Sequence, residues 1–240
     1  MMTTQTDGDL VCAVAGVTKT YRSGAEQLTV VRDVECELRR GDFAVLQGPS
    51  GSGKTTLLHL IAGIITPDDL AGSIQLEGVE LVGLSENQRR KVRLEHCGLV
   101  FQNPMLIQEL TVEENVVLPT VTQGGSGRAA LRQAKREAGA LLEAVGLGDL
   151  AQRFPAQLSG GQKTRVAVAR ALMGDKRFVI ADEPTGSLDA KTSREIFDLF
   201  LQLTTAQRTV LVATHDHRAA DYATVWLTVD EGRVSVERGR

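Results

Sequence analysis

The run of residues 48–55, Gly-Pro-Ser-Gly-Ser-Gly-Lys-Thr, constrains the fold of this chain more than any other segment. It follows a short apolar strand predicted over Phe43 to Gln47 and precedes a helix predicted over Thr55 to Ile65. Glycines in this position let successive backbone N–H groups turn toward a phosphate, and the positive end of the helix favours the same anion. The pattern therefore predicts a phosphate-binding loop, with an accidental glycine-rich turn as the alternative.

The chemistry of this loop assigns roles to its last residues. Lys54 is expected to reach the β and γ phosphates of a nucleotide, and the Thr55 hydroxyl is expected to bind Mg²⁺, which takes few protein ligands. The strand and helix on either side are the structural context that supports this interpretation. The candidate nucleotide-binding residues of the segment are Gly48, Pro49, Ser50, Gly51, Ser52, Gly53, Lys54, Thr55 and Thr56.

A second candidate anion site lies at residues 158–162, which read Leu-Ser-Gly-Gly-Gln. An Ala-rich helix is predicted after it, over Lys163 to Met173. A buried turn before a helix is one interpretation, but a serine and two glycines at a helix start also suit an anion. The residues concerned are Ser159, Gly160, Gly161 and Gln162.

Two adjacent carboxylates end the apolar strand predicted over Phe178 to Ala181. Side chains alternate along a strand, so Asp182 and Glu183 are expected to point to different faces. Asp182 could hold Mg²⁺ through water while Glu183 faces an attacking water. Helix capping or simple solvation is the alternative for such a pair.

Composition limits what else the chain can be. Its 240 residues are enough for one domain with a sizeable core. The net charge of −3 and the absence of a long basic run make nucleic acid an unexpected partner. Three cysteines without metal-ligand spacing fit a reducing cytosol. No apolar stretch approaches the roughly 20 residues of a membrane-spanning helix.

Further elements are predicted along the chain. Strands over Leu10 to Val17 and Leu28 to Leu38 indicate an antiparallel edge layer, and Thr209 to Ala213 is typical of a strand buried in a parallel sheet. A terminal hairpin is predicted over residues 225–236. Capping boxes at Ser85 to Gln88 and Thr111 to Glu114, a turn at Gly124 to Gly127 and a helix over Arg128 to Val145 indicate a helical insert over about 85–163.

Together the phosphate loop, the Leu-Ser-Gly-Gly-Gln run and the Asp-Glu strand end resemble the nucleotide-binding domain of ABC transporters over essentially the whole chain. The resemblance implies an α/β cassette with ATP and Mg²⁺ as cofactors. In it, about 1–84 and 164–240 would form the ATPase core, and about 85–163 the helical lobe that carries the signature. In the expected hydrolysis Glu183 orients or deprotonates the water, and Lys54 and Mg²⁺ offset the phosphate charge.

The resemblance also implies roles for four further residues. Tyr21 resembles the aromatic that stacks on adenine, although it could be a packed edge residue. Gln102 resembles the glutamine that links the metal and the γ-phosphate to the membrane partner, although a loop glutamine is the alternative. Asp189 belongs to the run Ser187-Leu188-Asp189, which resembles the dimer-spanning loop. His215 resembles the switch histidine that contacts the γ-phosphate; with His217 it could instead suggest a metal pair, which lacks further ligands.

The implied assembly is a head-to-tail homodimer with two ATP molecules at its interface, each facing Ser159 and Gly161 of the other chain. It would sit at the cytoplasmic face of the inner membrane through a separately encoded permease. The segment Asp182 to Asp189 and the regions near Tyr21 and Val34 resemble the macrolide and lipoprotein exporter group. A soluble ABC ATPase outside transport is the alternative function. Lys163-Thr164 after the signature and the lengthened Asp68 to Ala71 segment depart from the usual pattern.

Overall fold

Two sheets form the framework of the structure, a computed structural model that describes residues 9–24, 26–122 and 127–239. The first is a four-stranded antiparallel sheet in the order β2-β1-β4-β5. This sheet confirms the predicted antiparallel layer, although its first two strands are longer than predicted. Its strands are β1 (Leu10–Ser23), β2 (Glu26–Arg39), β4 (Ser73–Leu76) and β5 (Val79–Glu80).

The second sheet has six strands in the order β10-β9-β3-β8-β7-β6, and all its pairings are parallel except that of β9 with β10. Apolar residues fill its central strands, so both faces can be covered, as a parallel sheet requires. The predicted parallel core and terminal hairpin are thereby confirmed. The strands are β3 (Phe43–Gln47), β6 (Cys97–Val100), β7 (Phe178–Asp182), β8 (Thr209–Ala213), β9 (Val225–Asp230) and β10 (Arg233–Arg238).

Six α-helices of at least eight residues lie within the described part of the chain. Both predicted capping boxes form, at the start of α2 and before α3. The second helix was predicted to begin before Pro119, and it continues through this proline to Thr122, with Val116 and Val117 buried in the core. The helices are α1 (Lys54–Ile61), α2 (Glu86–His96), α3 (Val112–Thr122), α4 (Arg128–Ala144), α5 (Gly160–Leu172) and α6 (Ala190–Leu203).

Helices α3, α4 and α5 pack together beside the six-stranded sheet and share its hydrophobic core. The segment predicted as a helical lobe, about 85–163, also contains β6, which pairs with β7 inside that sheet. Apart from Gly127, the turn predicted over Gly124 to Gly127 lies outside the described residues. Within the described ranges, no helix is both long and apolar enough to cross a bilayer.

The three cysteines are buried in the hydrophobic core that the antiparallel sheet shares with the six-stranded sheet, and they carry free thiols. Burial raises the pKa of Cys36 and of Cys97 to about 12, and it raises the pKa of Cys12 well above the ordinary value. A thiol reacts as its thiolate, so all three side chains behave as small apolar core residues.

Candidate active site

The phosphate loop lies between β3 and α1, as predicted. Gly53 occupies the N-cap of α1 with φ 106°, and a Cβ built there would lie 2.2 Å from the Val30 carbonyl oxygen, so this position requires glycine. Lys54 is buried and its Nζ donates to the carbonyl oxygens of Gly48 at 2.9 Å and Pro49 at 3.1 Å. These two hydrogen bonds hold the ammonium against the backbone of the phosphate loop.

One open cavity of about 340 Å³ brings the loop together with groups from four other segments. It lies at the carboxyl ends of the parallel strands, where folds of this class bind ligands. Gln102 follows β6, Glu183 follows β7 and His215 follows β8, so neighbouring strand ends deliver all three. The lining residues are Val30, Ser50, Gly51, Gly53, Lys54, Thr55, Thr56, Gln102, Glu183 and His215.

Glu183 has a strained backbone for a residue other than glycine, with φ 46°. Its N–H donates to the Ala213 carbonyl at 2.8 Å, which ties this turn to the end of β8. The carboxylate faces the cavity, with Oε2 2.9 Å from His215 Nδ1 and Oε1 4.0 Å from Lys54 Nζ. The His215 side chain is 64% exposed, so it reaches Glu183 from the open side of the cavity.

Asp182 has the burial and the unpaired oxygen atom that are expected of a cation ligand. Burial raises the pKa of its carboxyl group, and a hydrogen bond from Thr55 and the nearby His59 oppose this rise. Its Oδ1 and the Oγ of Ser52 are buried and lack any hydrogen-bond partner. Buried polar oxygens without partners are rare and need an explanation. A hard cation held by Thr55 and Asp182 would supply one, so the residues fit Mg²⁺.

The signature segment lies apart from this cavity. Ser159 caps α5 by accepting a hydrogen bond from the Gln162 N–H, and Gln162 Oε1 accepts one from the Ser159 N–H. Ser159 and Gly160 are exposed, whereas Gly161 is buried, and a Cβ added to it would lie 2.4 Å from Thr192 Cγ2. None of these four residues lines the 340 Å³ cavity.

Six other predicted residues also lie outside the cavity lining: Gly48, Pro49 and Ser52 of the phosphate loop, Asp182, Tyr21 and Asp189. Tyr21 pairs with Leu28 across the first hairpin and is 46% exposed. Asp189 caps α6 by accepting hydrogen bonds from the N–H groups of Lys191 and Thr192, and its contacts with Thr192 lower the pKa of its carboxyl group. Val30, which sequence reasoning did not single out, lines the cavity instead.

Residues 31–186, more than half of the chain, match the family model described as ABC transporter. The chain belongs to the ABC transporter family. Its matched region includes the phosphate loop, the signature segment and Glu183, so the ABC cassette is an ATP-binding and ATP-hydrolysing protein. The resemblance drawn from the sequence is thereby confirmed.

Relatives of this ABC cassette extend over most of its length. It is 43% identical to the lipoprotein-releasing system ATP-binding protein LolD of Pseudomonas fluorescens, over 90% of this chain and 93% of the relative. It is 37% identical to the macrolide export ATP-binding/permease protein MacB 1/2 of Paracoccus denitrificans, over 93% of this chain and 32% of that protein. The ATP-binding cassette MJ0796, solved as a dimer with ADP and Pi, superposes with a TM-score of 0.86 at 34% identity and covers 96% of this chain and 99% of its own.

Proposed function

We propose that this cassette is the ATP-hydrolysing subunit of an exporter of the lipoprotein or macrolide type, and that it drives a separately encoded permease at the cytoplasmic face of the membrane. The observation that carries the ATPase assignment is the meeting of Lys54, Gln102, Glu183 and His215 at one cavity. The exporter type is supported by the names of the LolD and MacB relatives, both matched over at least 90% of this chain.

The proposed reaction is in-line attack of water on the γ-phosphate of ATP. Glu183 is the general base, and His215 at 2.9 Å holds its carboxylate in one orientation. The Lys54 ammonium stabilises charge on the β and γ phosphates. Mg²⁺ held by Thr55, Asp182 and Gln102 would neutralise further phosphate charge. Because Glu183 is held in a strained backbone conformation, its position is fixed before the substrate binds.

The signature segment does not line the cavity that holds the phosphate loop of its own chain. We propose that it completes the site of a second copy. Ser159 and Gly160 are exposed at the N-terminus of the 13-residue helix α5, where a phosphate is favoured. Two copies arranged head to tail would place this helix end against the ATP on the partner, and Asp189 would lie beside it. The dimeric MJ0796 cassette supports this arrangement.

The proposed permease-docking face is the segment that follows Gln102, residues 103–111. Met105 is 65% exposed and Ile107 is 43% exposed, whereas Leu106 packs against the hydrophobic core. The three consecutive apolar residues 105–107 are therefore divided between a surface pair and a core residue. Two exposed apolar side chains beside a catalytic glutamine are a suitable contact for a second protein.

Co-purification with the permease tests this proposal. The permease would be expressed from the gene neighbouring that of the cassette and carry the affinity tag. Met105→Ser with Ile107→Ser is expected to abolish retention of the cassette, with ATP binding and the thermal midpoint unchanged. Leu106→Ser is the matched control, since it should lower the thermal midpoint instead. Retention of the folded double variant would contradict this docking face.

A further inference from the structure

Met105 combines an exposed side chain with a strained backbone. Its φ is 49°, in the left-handed region that a residue other than glycine or asparagine adopts at a cost. Its own N–H donates to the Asn103 Oδ1 at 3.3 Å, a long bond that cannot account for the strain alone. A strained residue in a surface loop persists only where its surroundings hold it.

The group that holds it is Arg170 of α5. Its Nη2 donates to the Pro104 carbonyl at 2.6 Å and its Nη1 to the Met105 carbonyl at 2.9 Å. A guanidinium presents its donors as a planar fork, which suits two adjacent oxygens better than an ammonium does. Burial lowers the pKa of Arg170, which forms no ion pair with a carboxylate in the described ranges. Its bonding is therefore directed at this loop.

The remainder of the loop is fastened to α3. Asn115 of α3 is fully buried; its Oδ1 accepts from the Ile107 N–H at 2.8 Å, and its Nδ2 donates to the carbonyls of Ile107, Leu110 and Thr111. Gln102, by contrast, follows β6 of the parallel sheet. The segment 103–111 is thus attached to α3 and α5, and the chain passes from the sheet to these helices between residues 102 and 103.

We propose that Arg170 is a positioning residue that couples the segment 103–111 to the signature helix. Ser159 and Arg170 belong to one helical unit and are eleven residues apart, about 16 Å along the axis. When Ser159 meets a phosphate, a displacement of α5 moves Pro104 and Met105 with it. The inference rests on the proposed function in taking 103–111 as the face that meets the permease.

Hydrogen exchange tests the coupling with the cassette alone. The parent is Glu183→Gln, which is expected to retain ATP, and backbone amides of 103–111 are followed with and without MgATP. We expect ATP to slow their exchange about fivefold or more in the parent, and to leave it unchanged when Arg170→Lys is added, because a single ammonium cannot span both carbonyls. Arg165→Lys is the matched control: Arg165 lies on the same helix and bonds to the Val145 carbonyl and Glu195 instead.

A second variant separates coupling from simple damage to the loop. Met105→Gly relieves the left-handed strain and keeps both carbonyls, so it should retain the effect of ATP on exchange at residues 106–111. ATP binding, dimer formation and the thermal midpoint are measured in the same samples. An ATP effect that persists in Arg170→Lys would overturn the role of Arg170 while leaving the proposed ATPase function intact. A parent that fails to dimerise with ATP would contradict the proposed function itself and the coupling with it.

Discussion

The phosphate loop and the signature segment are both glycine-containing helix starts, yet their surroundings differ. The first lies in a cavity with Gln102, Glu183 and His215, and its lysine is buried. The second exposes Ser159 and Gly160, and none of its residues lines that cavity. The difference supports the proposal that the phosphate loop binds a nucleotide with groups of its own chain, whereas the signature segment meets the nucleotide of a second copy.

Lys54→Ala tests the phosphate loop and should have the largest effect on ATP binding. Removal of the ammonium leaves the β and γ phosphate charges without their nearest cation, so we expect ATP affinity to fall by about 100-fold or more. Calorimetric titration of ATP into the purified chain measures this loss. Lys91→Ala, at an exposed position of α2, is the matched control and should bind normally. Unchanged affinity in Lys54→Ala would remove the phosphate loop from the site.

Glu183→Gln separates binding from turnover at the same site. The amide keeps the shape of the carboxylate but cannot accept a proton from water, so turnover should fall by about 10²–10⁴-fold while ATP still binds. A phosphate-release assay gives the rate, and a sizing column with MgATP should show a trapped dimer. A fully active variant would move the base elsewhere, with His215 as the next candidate.

Ser159→Asp tests the signature segment. Aspartate is as good an N-cap as serine, so the thermal midpoint should stay nearly constant, but the added charge repels a phosphate. In the Glu183→Gln background we expect the ATP-dependent dimer to be lost and ATP binding by the monomer to be retained. Ser85→Asp, at the capping box that starts α2, is the matched control and should dimerise normally. A dimer that persists would show that the signature does not face a phosphate.

Asp182→Asn should have the smallest effect on binding and an unusual effect on stability. Burial raises the pKa of this carboxyl group in the folded chain, so the folded state favours the protonated form and loses stability as the pH rises through the folded pKa. At pH 7 to 8 the neutral amide removes this cost, and the thermal midpoint without MgATP should rise. The gain should vanish below the unfolded pKa, which is near 3.9.

Asp216→Asn is the control of opposite sign. A hydrogen bond from Arg218 lowers the pKa of Asp216, so its charged form stabilises the fold above the unfolded pKa, and this variant should melt earlier at pH 7. Thermal scans from pH 4 to pH 8 compare the two variants. A lower midpoint of Asp182→Asn at pH 8 would contradict the inference that burial disfavours the charged form of that carboxyl group.

Local patterns predicted the parts of the site that one segment builds. The loop at 48–55 and the strand end at Asp182 carry their signals in consecutive residues. Val30 was missed because its role arises from β2 passing the loop, a contact between distant segments. Local sequence also gave no reason to single out His59, which lies four residues after Thr55 on α1 and close enough to affect the pKa of Asp182.

The fold likewise contains elements that local sequence predicts and elements that it does not. β3 and β8 were predicted from apolar runs, whereas β6 is only four residues long and follows a highly charged helix, so its own sequence gives little signal of its place at the edge of the sheet. The helix continues past Pro119, a residue that usually ends a helix. Burial of Val116 and Val117 in the core outweighs the one backbone hydrogen bond that the proline removes. The placement of Tyr21 against adenine remains a prediction.

The burial of Cys12, Cys36 and Cys97 has a practical consequence for measurements of motion. Because all three thiols are shielded from solvent and have raised pKa values, maleimide probes should leave the folded chain unlabelled under native conditions. A cysteine introduced at position 105 would then react selectively without prior removal of the native ones. The natural sequence is thus a ready background for spin labels or fluorophores that report distances between the docking segment and the signature helix.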